Sequence, residues 1–237
     1  TLMAHLETVP VGEDLRDLPF RMPVQWVSRP NQNFRGFAGT IASGTVKPGD
    51  TLKVLPSGRQ SVVRRIVTAD GDLANGIPDQ AVTITLADEI DVSRGDVLCA
   101  AGEPAEVSDQ FEVQVLWMGD QEMLPGRPYI IKAGTRTITG TLDKLKYKVN
   151  VNTMEHVAAT TLTLNEIAVC ALELDAAIAF APYTENRALG SFIIIDRFTN
   201  ATVGMGLVHF ALRRAANIHW QATDVNKESR GQLLKQK

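Results

Sequence analysis

Residues 33–52, NFRGFAGTIASGTVKPGDTL, hold four glycines. Gly39 and Gly44 have the separation of the two glycines in a G-x-x-x-x-G-K-[ST] phosphate loop. That loop needs a lysine to reach the phosphates and a hydroxyl to meet Mg2+. Thr45 and Val46 follow Gly44, so the lysine is missing, and no helical pattern follows. Gly204-Met205-Gly206 opens like a dinucleotide fingerprint, but His209 stands where the third glycine belongs. Both glycine sets fit strand bends or close backbone approach better than a phosphate cradle.

The remaining chemistry-bearing side chains are scattered. Asp88, Glu89 and Asp91 form an acidic cluster that could meet a cation or work as an acid and base pair, but their spacing matches no ligand loop, and a solvated loop is the plain alternative. His5, His156, His209 and His219 include no i, i+4 pair that would mark a metal site. Ser43 and Ser191 have glycine neighbours, yet neither sits in G-x-S-x-G. Cys99 and Cys170 are far apart, with neither disulfide-framework nor zinc spacing, and read as reduced core residues. From the residues, then, no catalytic, cofactor-binding or metal-binding side chain is assigned.

One stripe remains a candidate partner interface. Lys144, Lys146 and Lys148 alternate along a strand and so project from one face. They make either a solvated face that blunts aggregation or a contact for an acidic partner or phosphate. Arg64 and Arg65 are adjacent, so a regular strand points them to opposite faces. Trp26 and Trp117 lie in strand patterns and are expected in the core, while Trp220 is expected to pin a polar tail to a barrel surface.

The elements that carry these residues are strands. QAVTITL (80–86) alternates, and DQFEVQVLWM places Phe111, Val113, Val115 and Trp117 inward. Lys47-Pro48-Gly49-Asp50 and Ser57-Gly58 are turns between apolar runs. Recurrent short turns favour barrels or sandwiches. In RTITGTLDKLKYKV (136–149) the apolar phase flips near Asp143-Lys144, as a bulge at a barrel corner would make it do. NEIAVCALELDAAIAF (165–180) is open between helix and strand on propensity alone. SFIIIDRFTNATVGMGLVHFAL (191–212) reads as two strands around Thr199–Thr202. TLMAHLE puts Leu2, Met3 and Leu6 on one helical face, ETVPVGEDLRDLP (7–19) reads as a linker, and residues 213–237 lose the alternation.

The whole chain of 237 residues is 44% hydrophobic and 22% charged, with a net charge of −3. That suits one large or two modest soluble domains, and it disfavours a nucleic-acid binder, which carries a basic surplus. No apolar run is long enough to span a bilayer as a helix and no secretory signal is seen, so the expectation is a cytoplasmic protein without a membrane partner.

RGFAGTIASGTVKPGDTLKVLPSG, followed by Val92-Ser93-Arg94-Gly95-Asp96-Val97-Leu98, resembles the second domain of elongation-factor-type GTPases. FEVQVLWM, the Leu124–Tyr129 turn and RFTNATVGMGLV resemble the third. Within that family, DQEMLPGRPYIIKAGTRTITGTLDKLKYKVNVNT and LNEIAVCALELDAAIAFAPYTENRALGSFIIIDRFTNATVGMG are similar to the GTPase subunit of bacterial sulfate adenylyltransferase. The tail HWQATDVNKESRGQLLKQK resembles the linker to an adenylylsulfate kinase in bifunctional members, and TLMAHLETVPV resembles the exit helix of the GTPase domain.

The resemblance implies an all-β fold of two consecutive antiparallel barrels. It divides the chain into an upstream domain end and linker (1–18), a second-domain barrel (19–104), a third-domain barrel (105–212) and a linker (213–237). It implies that 165–180 is strand. It also implies a parent protein that uses GTP hydrolysis to drive adenylyl transfer from ATP to sulfate, yielding adenylylsulfate and pyrophosphate. GTP, ATP and Mg are then expected for the parent and its partner, and none in this chain, which lacks both G-K-[ST] and N-K-x-D. The implied partners are an upstream GTPase domain and an adenylyl-transferring small subunit. The rival is a pair of tRNA-gripping barrels of a translation-factor GTPase, whose binding would weaken steeply with salt.

Overall fold

The computed structural model describes residues 2–8 and 15–212. A short helix, α1 (Leu2–Thr8), leads into fifteen strands in two antiparallel barrels, the all-β architecture expected. Barrel 1 uses β1 (Arg21–Pro23), β2 (Trp26–Asn31), β3 (Phe34–Thr40), β4 (Thr51–Leu55), β5 (Gln60–Thr68), β6 (Gly71–Leu73), β7 (Ala81–Leu86) and β8 (Val97–Ala100). Barrel 2 uses β9 (Glu106–Trp117), β10 (Pro128–Ala133), β11 (Arg136–Val149), β12 (His156–Val157), β13 (Ile167–Phe180), β14 (Ser191–Ile195) and β15 (Thr202–Ala211).

Barrel 1 is closed by one bent segment. Its strand order is β1-β8-β4-β5-β7-β3-β2, with β6 on β5. β1 pairs with β8 and β2 pairs with β3, so residues 21–31 join the two ends of the sheet. The switch falls between adjacent residues: Val24 N donates to Asp96 O and Gln25 N to Ala38 O, each at 2.8 Å. Such a crossing needs backbones in close contact. A Cβ on Gly39 would lie 2.3 Å from Pro23 O. Gly44 has φ +70°, and its Cβ would lie 2.4 Å from the Phe20 backbone. The glycines with phosphate-loop spacing thus close a barrel around Met22, Phe37, Ile66 and Leu98.

Barrel 2 closes by backbone pairing alone. The ring runs β10-β14-β15-β9-β13-β11, and β11 pairs back to β10, with β12 attached to β11. Inside are Phe111 and Phe180 edge-on at 4.9 Å and Trp117 and Tyr129 at 5.7 Å. Trp117 Nε1 donates to Gln121 O at 2.7 Å, so the indole is buried without an orphaned donor. The register of β11 on β13 jumps between Leu142 and Leu145, where the sequence phase flips. The ambiguous 165–180 stretch is strand β13, held between β9 and β11, where pairing on both edges overrides its helical composition.

One turn recurs through both barrels. In Lys47–Asp50, Ile77–Gln80, Ser93–Asp96 and Thr163–Glu166 the third residue has positive φ, the fourth N–H donates to the first carbonyl, and the fourth side chain accepts from the first N–H. Leu124–Arg127 keeps the backbone part. These are type II-like corners, in which the third position must tolerate the left-handed region.

Two expectations change. Trp26 is 64% exposed rather than core, because β2 presents it on the outer face opposite Ala38. Arg64 and Arg65 both point outward, because a bulge between Val63 and Arg65 breaks the alternation. Tyr147 stacks on His156 at 3.8 Å. Much of the 7–19 linker, the whole 213–237 tail, and with it Trp220 and His219, lie outside the described residues.

Candidate functional site

The most constructed polar feature is the junction of the barrels. The β10–β11 hairpin tip meets the Ser93–Asp96 turn of barrel 1. Thr135 Oγ1 donates to Val24 O at 2.8 Å, the same carbonyl that receives Gly95 N at 3.0 Å. Arg136 Nη1 lies 3.4 Å from Asp96 Oδ1, while Asp96 Oδ2 accepts Ser93 N at 2.8 Å. Gly95 is required here: its φ is +94° and a Cβ would press on Arg136 at 3.1 Å. Burial raises the Asp96 pKa above the ordinary carboxylate range, and Ser93 N–H and the Arg136 charge oppose that only in part.

A second polar contact lies across the same boundary. Asn186 Nδ2 donates to Ser43 Oγ at 3.2 Å, and Ser43 Oγ donates to Pro19 O at 2.8 Å. Asn186 Oδ1 also receives Leu189 N at 3.1 Å. Ser43 and Asn186 are both buried, and Ser43 Oγ supplies the acceptor for Asn186 Nδ2. An apolar cluster seals the boundary, with Leu55, Val97 and Cys99 from barrel 1 against Leu189, Ala179 and Ala181 from barrel 2. The cavity left between Pro23, Val97, Gly134 and Leu189 is about 20 Å³, enough for one water. This arrangement ties the two barrels together at polar and apolar contacts. It brings together no nucleophile and base.

The lysine stripe is partly spent on internal pairs. Lys146 Nζ bonds Glu112, and Lys148 Nζ lies 2.5 Å from Glu166 Oε1. The Lys146 pair reaches from β11 to β9 across Ala171 of β13, whose short side chain leaves room. His209 Nδ1 joins Glu112 at 3.2 Å from β15. Burial raises the Glu112 pKa, but bonds from Lys146 and His209 outweigh it and hold the group below the usual range. Lys144 alone of the three is exposed without a described ion pair.

The acidic cluster is likewise distributed. Asp88 accepts Ser61 Oγ at 2.8 Å, Glu89 lies 3.8 Å from Arg29, and Asp91 lies 3.6 Å from Arg35. No group of three metal-ligating side chains occurs among the described residues. Ser191 Oγ donates to Arg187 O at 2.8 Å. Cys99 and Cys170 are buried and free, and burial pushes the Cys170 thiol up to about 12, which keeps it protonated. No described helix is long and apolar enough to cross a membrane.

The Ser93–Asp96 turn of the junction falls in the segment that carries the second-domain resemblance, but Thr135, Arg136 and Asn186 carry no signal in the sequence, and Ser43 shows only its glycine neighbour, because each pairs with a residue distant in the chain. A residue whose partner is unknown looks like any surface polar group.

Residues 38–99 match the family described as Elongation factor Tu domain 2, and residues 110–209 match GTP-eEF1A C-terminal domain-like. The "Bifunctional enzyme NodQ" of Rhizobium sp. (strain N33) is 49% identical over 100% of this chain and 37% of the relative. The "Bifunctional enzyme CysN/CysC" of Xylella fastidiosa (strain Temecula1) is 47% identical over 98% of this chain and 37% of its own length. "Sulfate adenylyltransferase subunit 1" of Aeromonas salmonicida (strain A449) is 42% identical over 96% of this chain and 52% of its own length. The chain thus spans between about a third and about a half of these curated relatives. The solved structure of sup35 complexed with GDP superposes with a TM-score of 0.77 over 90% of this chain and 52% of that one; at 20% identity it supports the fold alone.

Proposed function

We propose that this chain, which corresponds along its whole length to part of the sulfate adenylyltransferase subunit 1, CysN/CysC and NodQ proteins, is the non-catalytic coupling region of a GTP-dependent sulfate-activating enzyme. In this reading an upstream GTPase domain in the same polypeptide hydrolyses GTP. A separate small subunit joins the adenylyl group of ATP to sulfate and releases pyrophosphate. A downstream kinase then phosphorylates the adenylylsulfate. GTP, ATP and Mg bind outside residues 1–237, and the assembly works in the cytoplasm without membrane or nucleic acid.

The observation that carries this reading is the junction. Arg136–Asp96, Thr135–Val24 and Asn186–Ser43 tie the two barrels together, which supports a reading in which they act as a lever between a nucleotide switch and a partner. Helix α1 adds support, since Leu2, Met3 and Leu6 are bare and offer an apolar face to a neighbouring domain. The segmentation 1–18, 19–104, 105–212 and 213–237 belongs to the same reading.

The test uses the full-length protein with its small subunit. GTP is expected to stimulate formation of adenylylsulfate and pyrophosphate, while residues 1–237 alone hydrolyse no GTP and form neither product. Product formation indifferent to GTP, or catalysis by the barrels alone, would contradict the reading.

A further inference from the structure

Barrel 2 has two unlike ends. One carries the hairpin tip at Thr135 and the 181–190 segment, and it is covered by barrel 1. The other carries the loops 118–127, 150–166 and 196–201, and it faces away. Among the described residues, sixteen large apolar side chains are exposed, and seven of them lie in these three loops or on the short strand β12 within them. Phe198 is 85% exposed and Met154 71%, with Leu124 and Leu164 beside them in the set. No loop of barrel 1 carries one. Exposed apolar groups concentrated in this way mark a contact surface rather than ordinary scatter.

The loops form one platform. Met123 and Leu162 are bridged, Thr161 Oγ1 donates to Met123 O at 2.5 Å, and Asn165 N donates to Trp117 O at 2.8 Å. Arg127 sits over the Phe198 ring at 5.7 Å and pairs with Asp196 at 2.5 Å, which fixes the 196–201 loop to the 118–127 loop. Asp196 also caps Phe198 N and Thr199 N at 2.9 Å. Met154 is held at φ +60°, a conformation unfavourable for a methionine, by its N–H bond to Asn150 O at 2.7 Å. The apolar groups are therefore presented by fixed backbone, so little ordering remains to be done on binding.

The charge of the platform selects its occupant. The three loops hold five acids (Asp120, Glu122, Glu155, Glu166, Asp196) against two arginines (Arg127, Arg197). Arg127 is spent on Asp196 and Glu166 on Lys148, which leaves Asp120, Glu122 and Glu155 against Arg197, and Asp120 and Glu122 have no described ion pair. Nucleic acid and anionic lipid are repelled by such a surface. A second copy docked face to face would set acid against acid. Strand β15 runs away from the platform, since Thr202 lies beside it and Ala211 lies alongside Phe111, nine residues and about 30 Å of strand away.

We infer that this distal platform, centred on Phe198 and Leu124, is the docking surface for the partner subunit, which meets it with an apolar face rimmed by lysine or arginine. The inference rests on the sulfate-activating reading, in which the relatives' designation "subunit 1" implies another subunit.

The experiment measures the affinity of full-length protein for purified small subunit by calorimetry, at two salt concentrations. Phe198→Asp and Leu124→Glu each weaken binding about tenfold or more, and Asp120→Lys with Glu122→Lys slows association and flattens its salt dependence. Trp26→Ser, on the outer face of barrel 1, leaves affinity unchanged. All these side chains are exposed, so unchanged thermal unfolding is expected and is checked on each variant. If the wild type binds and the platform variants bind equally well, the platform assignment is wrong while the sulfate-activating reading stands. If the wild type does not bind the small subunit at all, that reading falls and takes the platform with it. Self-association abolished by Phe198→Asp, with partner binding intact, would assign the surface to a second copy and overturn the inference.

Discussion

The two barrels solve the same problem of sheet edges by different means. Barrel 2 pairs β10 with β11 over six residues, from Pro128 with Thr141 to Ala133 with Arg136, and has no seam in its ring. Barrel 1 has a seam, bridged by the bent segment 21–31 through short ladders to β8 and β3. The seam faces the junction: Val24, at the bend, receives bonds from both Gly95 of barrel 1 and Thr135 of barrel 2. The less regular closure thus lies where the partner barrel supports it. The ends differ too. The junction end of barrel 2 is covered, with its polar groups paired and an apolar cluster sealed against barrel 1, whereas its distal end leaves apolar side chains open among acidic ones.

The largest expected effect separates the closures. Gly39→Ala drives a Cβ to 2.3 Å from a backbone carbonyl that cannot swing away, and costs about 3 kcal/mol or more. Gly140 of barrel 2 lies in the closing ladder, and its nearest neighbours are Leu174 Cδ2 at 2.7 Å, Ile131 Cγ1 at 2.9 Å and the Glu173 carbonyl oxygen at 3.0 Å. The end of Leu174 can shift, and the nearest backbone oxygen stands at 3.0 Å rather than the 2.3 Å at Gly39, so Gly140→Ala costs less than Gly39→Ala, roughly 2 kcal/mol. Urea unfolding of both variants checks this, and equal losses would erase the distinction.

A smaller effect concerns acid. In barrel 2, burial opposes the ionised forms of Glu112 and Glu166, but bonds from Lys146 and Lys148 prevail and lower both pKa values. Asp196 is lowered by the N–H groups of Thr199 and Phe198. Groups with lowered folded pKa contribute stability above the ordinary carboxylate range, and that stability is lost as pH falls through their folded values. In barrel 1 Asp72 behaves likewise, held down by Arg65, but Asp96 has the opposite sign: burial raises it, and protonation removes a cost. Hydrogen exchange below about pH 4 is expected to lose protection in β9, β13 and β15 before β4, β5 and β7. The reverse order would contradict this assignment of ion pairs.

What the sequence revealed follows from how local each signal is. The turn at Lys47–Asp50, the inward face of Phe111 to Trp117 and the bulge after Leu142 all rest on near neighbours, and each was legible. Trp26 was not, because aromatic size says nothing of which face a bent closing strand turns outward. Nor was the exposure of both Arg64 and Arg65, since a bulge in β5 leaves no mark in residue types. The lysine alternation was readable, but the acids that bind Lys146 and Lys148 come from 34 and 18 residues away. The junction stayed hidden for the same reason, with Ser43 and Asn186 separated by 143 residues.

The proposed sulfate-activating role is tested most directly by the number of GTP molecules hydrolysed per adenylylsulfate formed, by full-length protein with the proposed small subunit, as wild type and as Arg136→Ala. If the joined barrels carry the nucleotide state to the partner, removing Arg136 leaves GTP hydrolysis near normal and lowers adenylylsulfate formation, so the ratio rises about tenfold. An unchanged ratio in a correctly folded variant would mean that Arg136–Asp96 plays no part in coupling.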